Sequence, residues 1–261
     1  MIERPWGKHK LRIAGRTNVG MKRTHNEDSF FLCENEALYL VADGMGGHAS
    51  GEVASKMAVE SVSDFFTATK DDDEVTWPFK MDKARKYEEN RLITAIKLAN
   101  LRIFESAQAD AKYKGMGTTI VSIFFANGSA YVCHVGDSRV YRFRGKELTQ
   151  LTEDHSLLND YIKMKKLTPE EIENFPHKNV IVRALGMKET VQVDILTEHP
   201  RPGDIYLLCS DGLSGMVTDP TMGETVGKNA HNLDAACDQL IATANENGGI
   251  DNVTVVLAQV T

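Results

Sequence analysis

The pair Asn127-Gly128 constrains the fold of this chain more than any other short feature. It lies between two apolar, strand-like runs, Thr118 to Ala126 and Ser129 to Val135. Asn-Gly is the strongest short-range signal for a two-residue turn between antiparallel strands, because both residues adopt positive φ at low cost. Other short apolar runs extend the pattern: Ser29 to Cys33, Ala37 to Ala42, Arg139 to Arg144, Thr190 to Thr197, Ile205 to Ser210 and Asn252 to Val260.

Longer segments with helical periodicity separate the strand groups. They are Gly51 to Thr67, Glu89 to Lys112 and Leu233 to Asn245. Strands grouped in this way favour antiparallel sheets covered by helices, because a doubly wound parallel sheet would alternate strand and helix regularly. The 261 residues contain no repeat and no long low-complexity linker, so we expect one domain. Residues 154–178 break the strand rhythm, and Thr168-Pro169-Glu170-Glu171 predicts a helix start inside an insertion.

Composition excludes several classes of protein. The net charge is −7 and no basic cluster is present, so we expect no binding to nucleic acid. No apolar stretch has the length of a membrane span, and the first residues lack the apolar region of a signal peptide. The cysteines are widely spaced and favour reduced thiols in a cytoplasmic protein: Cys33, Cys133, Cys209 and Cys237.

Acidic residues coincide with the ends of the apolar runs. Those that follow a run are Asp43, Asp137 and Asp211, and those that precede one are Glu27, Asp28 and Asp251. A turn role explains a single Asp-Gly, but independent turn roles explain the repeated pattern poorly. If the strands share a sheet end, the carboxylates meet and repel, and a cation must neutralise them. Oxygen ligands without a His or Cys cluster suit Mg²⁺ or Mn²⁺ rather than Zn²⁺.

An ordered set of motifs resembles the protein phosphatase 2C (PPM-type) family in its bacterial form. The motifs are Arg23-Thr24-His25-Asn26-Glu27-Asp28-Ser29-Phe30, Val41-Ala42-Asp43-Gly44-Met45-Gly46-Gly47-His48, Gly117-Thr118-Thr119, Gly136-Asp137-Ser138-Arg139, Ser210-Asp211-Gly212-Leu213 and Gly249-Ile250-Asp251-Asn252. The resemblance extends from about Gly15 to the C-terminus. It implies an α+β fold, a four-layer α-β-β-α sandwich of two antiparallel β-sheets flanked by helices. Residues 1–261 would form one catalytic domain, with a flap-like insertion at 152–182.

The same resemblance implies roles for individual residues. Asp43 would bridge two Mn²⁺ or Mg²⁺ ions, with the Gly44 carbonyl as a further ligand. Asp211 and Asp251 would complete one ion site. Glu27 and Asp28 would contribute to the other ion site, partly through water. Asp137 with Asp211 would hold a possible third ion. Arg23 matches the arginine that binds the substrate phosphate, a task that suits its planar fork; a surface ion pair with Glu27 is the alternative.

The implied activity is hydrolysis of phosphoserine and phosphothreonine in proteins by water activated at a two-metal centre. A serine/threonine kinase and its targets would be the partners of a monomeric enzyme. In eukaryotic members a histidine after the Asp-Gly is thought to protonate the leaving alkoxide, but Met45 stands there in this chain. His48 is the nearest candidate for the acid, and metal-bound water is its rival.

Three other interpretations compete with this one. Gly44-Met45-Gly46-Gly47-His48-Ala49 fits a dinucleotide fingerprint, although Asp43 would face the pyrophosphate. Cys133 and Arg139 have the spacing of a cysteine-nucleophile phosphatase, although Asp137 would lie inside that loop. The third is a catalytically silent regulator that binds phosphoproteins, which binding without turnover would reveal.

Overall fold

The structure is a computed structural model that describes residues 2–33, 35–46, 50–70, 76–165, 167–173, 175 and 180–261. The strands are β1 Ile2–Trp6, β2 His9–Asn18, β3 Asp28–Cys33, β4 Leu38–Met45, β5 Gly117–Thr118, β6 Ile120–Ala126, β7 Ser129–Val135, β8 Arg139–Arg144, β9 Glu147–Gln150, β10 Asp194–Glu198, β11 Ile205–Cys209 and β12 Val253–Val260. The helices are α1 Ser50–Ala68, α2 Tyr87–Ala109, α3 Leu157–Lys165, α4 Pro169–Glu173, α5 Asp211–Ser214, α6 Asp219–Lys228 and α7 Leu233–Glu246.

The strands form two antiparallel sheets. One has the order β1-β2-β12-β11-β8-β9, and the other has the order β10-β7-β6-β4-β3, with β5 paired to the end of β4. Asn127 and Gly128 have φ of 49° and 76° and join β6 to β7 as a tight hairpin turn, as predicted. Every strand pair among the described residues is antiparallel, so the parallel unit that a dinucleotide fingerprint needs is not formed there.

Three apolar layers hold the sheets and helices together. Buried residues such as Tyr39, Val132 and Tyr206 fill the space between the sheets. The outer face of the β4–β6–β7 sheet packs against α1 and α2, and the outer face of the β11–β12 sheet packs against α6 and α7. The predicted α-β-β-α sandwich is therefore confirmed. No helix among the described residues has the length and apolarity to span a membrane.

Some elements differ from the predictions. The predictions lacked β1, β2, β9, α3, α5 and α6, and the expected strand at Thr190 to Thr197 is shorter and begins at Asp194. The second helix ends at Ala109 rather than Lys112, because Asp110 turns to an extended conformation and caps the following 3₁₀ turn. The predicted helix start at Thr168 is confirmed by reciprocal hydrogen bonds between Thr168 and Glu171.

Candidate metal centre

The predicted acids converge at one end of the two sheets. Asp28 and Asp43 lie directly opposite each other where β3 and β4 pair. Asp211 follows β11, and Asp251 lies just before β12. Because β11 and β12 are antiparallel neighbours, the end of one strand meets the start of the other, and this brings Asp211 and Asp251 together.

The Asp28 carboxylate is buried, and only one of its two oxygens is hydrogen-bonded. Its Oδ2 accepts hydrogen bonds from Ser210 Oγ at 2.7 Å and Thr254 Oγ1 at 2.6 Å, whereas its Oδ1 has no hydrogen-bond partner. The pKa of Asp28 is raised to about 7, mainly by burial and to a smaller extent by Asp211 and Asp251, while the hydrogen bonds from the two hydroxyls oppose the shift. An additional positive partner at Oδ1 would relieve this cost.

The Asp43 backbone is fixed by two threonines. Its N–H donates to Thr119 Oγ1 at 3.1 Å, and its carbonyl accepts from the Thr118 hydroxyl at 2.8 Å and from the Thr119 N–H at 2.8 Å. The carboxylate itself lies among other acids. Burial and the neighbouring carboxylates raise the pKa of Asp43 well above its usual value; the neighbours are Asp28, Asp211, Asp137 and Asp251.

The pKa values of Asp137 and Asp211 are also displaced. The pKa of Asp137 is raised to about 7, mainly by burial and to a smaller extent by Asp211 and Asp154. Asp137 Oδ1 is buried and has no hydrogen-bond partner. Burial and then Asp251 raise the pKa of Asp211, while a hydrogen bond to Asp43 and two arginines oppose the change.

Glycines allow Glu27 to approach the start of α1. The Gly44 N–H donates to the Glu27 carbonyl at 3.1 Å. A Cβ at Gly44 would lie 2.1 Å from the Gly51 carbonyl oxygen, and a Cβ at Gly51 would lie 2.8 Å from Glu27 Cδ. Neither position can carry a larger side chain without moving the backbone, so the glycines bring Glu27 beside Gly44.

Arg23 lies at the open edge of the acid cluster. Its Nη2 donates to Asp251 Oδ2 at 2.7 Å, and both side chains are partly exposed. Partial burial lowers the pKa of Arg23, but Asp251, Glu27 and Asp43 together raise it above its ordinary value. The structure thus pairs Arg23 with Asp251 instead of the surface partner Glu27 considered from the sequence.

Sequence reasoning missed several polar residues that organise the centre. Asn252 accepts a hydrogen bond from the Glu27 N–H at 2.7 Å and donates to the carbonyls of Val19 and His25, each at 3.0 Å. It follows Asp251 within a motif already identified, and Thr254 is a polar residue inside an apolar run. Those positions were the available signal, although the partners are more than 220 residues away.

A second polar cluster lies beside Asp137. The imidazoles of His134 and His155 stack with centroids 4.6 Å apart, and Asp194 Oδ2 lies 3.0 Å from His155 Nε2. In the part of the chain that the structure describes, only these three residues have possible metal-ligand atoms all within 4.8 Å of one another. Arg183 Nη1 lies 2.9 Å from both His155 Nε2 and Asp194 Oδ1, however, so a cation already occupies this position.

Among the described acids of the main centre, no three have carboxylate oxygens that all lie within 4.8 Å of one another. Their chemistry nevertheless fits a hard divalent cation: the donors are oxygens, two buried carboxylate oxygens lack partners, and crowding raises several pKa values. His48 lies outside the described residues, so its position adds nothing to the site.

The cysteine-nucleophile alternative does not fit the structure. Cys133 is buried inside β7, and burial raises the pKa of its thiol well above the usual value. Arg139 donates to both carboxylate oxygens of Asp154, at 2.7–3.1 Å, and is not free to hold a phosphate. A reactive thiolate beside an arginine is therefore not assembled here.

Comparison with known proteins agrees with this geometry. A family model described as Protein phosphatase 2C matches residues 19–258. The chain is 38% identical over 251 residues to the serine/threonine phosphatase stp of Listeria monocytogenes, covering 94% of each chain. The serine/threonine phosphatase of S. agalactiae has a similar structure, with a TM-score of 0.84, 33% identity and coverage of 96% of this chain and 100% of that one.

A further solved structure bears on the metal. It is the catalytic domain of the serine/threonine protein phosphatase PstP in complex with two manganese ions, with a TM-score of 0.80, 35% identity and coverage of 96% of this chain and 98% of that one. These matches agree with the fold and with the family that the ordered motifs of the sequence resemble. The chain belongs to the protein phosphatase 2C family.

Proposed function

We propose that this chain hydrolyses phosphoserine and phosphothreonine in proteins with water activated at a dinuclear Mn²⁺ or Mg²⁺ centre. The observation that carries the proposal is the convergence of Asp28, Asp43 and Asp211, whose pKa values are all raised by burial and by neighbouring carboxylates. Such a cluster is costly in a protein without a cation, and a divalent ion offsets that cost. The two manganese ions of the PstP structure support the choice of metal.

The proposed ligands follow the geometry of the cluster. Asp43 would bridge the two ions, since four other acids affect its carboxylate, and the Gly44 carbonyl beside it would add a ligand. Asp211 and Asp251 would complete one ion site, and Glu27 and Asp28 would serve the other partly through water. Asp137, with its unpartnered Oδ1, would join Asp211 at a third site. Bound divalent ions supply a water of lowered pKa and neutralise phosphoryl oxygens.

Arg23 is the proposed phosphate ligand of the protein itself. Its guanidinium lies at the open side of the cluster and now pairs with one oxygen of Asp251. A planar fork binds two phosphate oxygens at once, which a lysine cannot do. If Asp251 serves a metal ion, Arg23 exchanges that carboxylate for the incoming phosphate, so the guanidinium positions the substrate for in-line attack.

The proton donor for the leaving alkoxide stays open between His48 and water. The buried histidines His134 and His155 contact Glu153, Gly136 and Asp194. Replacing His48 by alanine would separate the two possibilities, because a peptide substrate has a basic leaving group and p-nitrophenyl phosphate does not. Loss on the peptide alone would assign the proton to His48.

The alternative is a silent regulator that binds phosphoproteins. Every predicted ligand position holds its acid, and the relatives are named phosphatases, which favours catalysis. The test is hydrolysis of a phosphothreonine peptide with Mn²⁺, with EDTA and with the Asp43→Asn variant. The proposal expects release of phosphate with Mn²⁺ only, and a loss of at least about a hundredfold in the variant. Peptide binding without turnover would establish the regulator.

The cellular setting is a further part of the proposal. The substrates would be a serine/threonine kinase and the proteins that it phosphorylates, and the enzyme would act as a cytoplasmic monomer. All four cysteines are free, which suits a reducing compartment. Light scattering of the purified protein should give the mass of one chain, 29.0 kDa; a mass of two chains would reject the monomer.

A further inference from the structure

We infer that this phosphatase prefers phosphorylated serines and threonines that are flanked by apolar residues. The inference rests on the proposed function and concerns the substrate segment on either side of the phosphate. Four apolar side chains border the acid cluster and are called the apolar rim: Met21, Met45, Met187 and Ile250. They form two pairs, Met21 with Ile250 and Met45 with Met187.

The first pair adjoins the Arg23–Asp251 ion pair. Met21 is 64% exposed and Ile250 is 54% exposed, although both are large apolar residues. Met21 N–H donates to the Gly249 carbonyl at 2.7 Å, and a Cβ at Gly249 would lie 2.7 Å from Met21 Cγ. Met21 therefore packs on the residue that precedes Ile250, and both residues lie on the loops that carry Arg23 and Asp251.

The backbone under this pair is held rigidly. Gly20 has φ of +79°, and a Cβ there would lie 2.1 Å from the Asp251 carbonyl oxygen, so the two loops touch through their backbones. Asn252 Nδ2 donates to the Val19 carbonyl at 3.0 Å, and the Asn18 side chain accepts from the Gly20 N–H at 2.9 Å. The two loops are therefore already ordered before a partner binds, so binding there costs little conformational entropy.

The second pair lies on the Gly44 side of the cluster. A Cβ at Gly117 would lie 3.4 Å from Met187 Sδ and 3.6 Å from Met45 Cγ, so both methionines border the same glycine. The segment that carries Met187 is fixed by two hydrogen bonds between Thr118 and Leu185, of 3.1 and 2.8 Å. Met187 is 57% exposed despite this anchoring.

The chemistry of the rim identifies its occupant as apolar side chains of the substrate. Exposed methionines adapt to aliphatic partners, and exposed apolar groups around a polar site indicate binding. Met21 lies two residues before Arg23 and Ile250 directly precedes Asp251, so the substrate residues that they would meet are those next to the phosphorylated one. Acidic flanking residues are disfavoured because the apolar side chains would desolvate their carboxylates.

The experiment compares two phosphothreonine peptides of equal length and charge. One carries Leu on both sides of the phosphothreonine, the other Gln, and kcat/KM is measured for each with Mn²⁺. The proteins are the wild type, the double variant Met21→Gln with Ile250→Gln, and the matched control Met81→Gln, an exposed methionine outside the rim. We expect the wild type to favour the Leu peptide by roughly tenfold, since partly buried aliphatic groups give discrimination of this order.

The ratio of the two kcat/KM values decides the matter. It should fall to about three in the double variant, because one of the two pairs of the rim remains, and stay unchanged in Met81→Gln. Equal rates on the two peptides in the wild type, or an undiminished preference in the double variant, would overturn the rim while leaving the phosphatase intact. Absence of hydrolysis of both peptides and of p-nitrophenyl phosphate would instead overturn the proposed function, and the rim with it.

Discussion

Replacing Asp28 by asparagine should stabilise the metal-free protein while impairing catalysis. Asparagine has nearly the same shape as aspartate, and its Oδ1 can still accept hydrogen bonds from the hydroxyl groups of Ser210 and Thr254. The substitution removes one buried negative charge that Asp211 and Asp251 oppose. Stability and activity should therefore change in opposite directions, as expected when a site is built for a cation.

The magnitude follows from the shift of the Asp28 pKa from 3.8 to about 7. Because the folded pKa is above the unfolded one, the folded state binds more protons between these values. The contribution of Asp28 to the free energy of unfolding thus falls as pH rises from about 4 to 7 and is level above. At 1.36 kcal/mol per unit, the loss from Asp28 is at most about 4 kcal/mol at pH 8 and less than half of that at pH 5.

Urea unfolding in EDTA at pH 5 and pH 8 measures this difference. The variant should be more stable than the wild type by roughly 1–4 kcal/mol at pH 8, with a clearly smaller gain at pH 5. Asp64→Asn, at a side chain that is 72% exposed, is the control and should change stability by less than about 0.5 kcal/mol at both values. A variant of equal or lower stability at pH 8, or a gain independent of pH, would refute the repulsion argument.

Three further outcomes follow from the same site. Arg23→Lys keeps the charge but loses the planar fork, so KM for a phosphopeptide should rise roughly tenfold with a smaller change in kcat; an unchanged KM in steady-state kinetics would reject the phosphate role. Gly212→Ala would place a Cβ 1.9 Å from the Asn252 carbonyl oxygen and should lower the free energy of unfolding in urea by about 2–4 kcal/mol. Wild-type stability of this variant would show that the backbones of the two loops can move apart at little cost. Iodoacetamide should leave activity intact because Cys133 is buried with a raised thiol pKa, while EDTA should abolish it; inactivation by the alkylating agent would restore the thiol mechanism.

The positions of the acids were predictable because each is attached to an apolar strand that must be buried. Asp43 follows an apolar run, so once β4 enters the core its carboxylate has to lie at the sheet end. Periodicity and the Asn127-Gly128 turn likewise predicted the hairpin between β6 and β7. The local sequence pattern was sufficient wherever the burial of apolar residues alone determines which element forms.

Other features depend on contacts that are distant in the sequence. Strand β2 carries Arg12 and Arg16, which break the apolar pattern, yet Arg12 donates to Gln259 at 2.9 Å and Arg16 pairs with Asp234 at 2.8 Å. These partners lie more than 215 residues away, and only the folded chain brings them together. The bonds of Thr254 and Asn252 were missed for the same reason.

The central claim is that the converging carboxylates hold divalent cations. Crystals grown with Mn²⁺ and measured at the manganese absorption edge test it most directly, because anomalous scattering locates the metal without assuming ligands. The account predicts two manganese peaks at Asp43, with Asp211 and Asp251 as ligands of one of them. Anomalous density confined to the cluster of His134, His155 and Asp194, or no peak at Asp43, would contradict it.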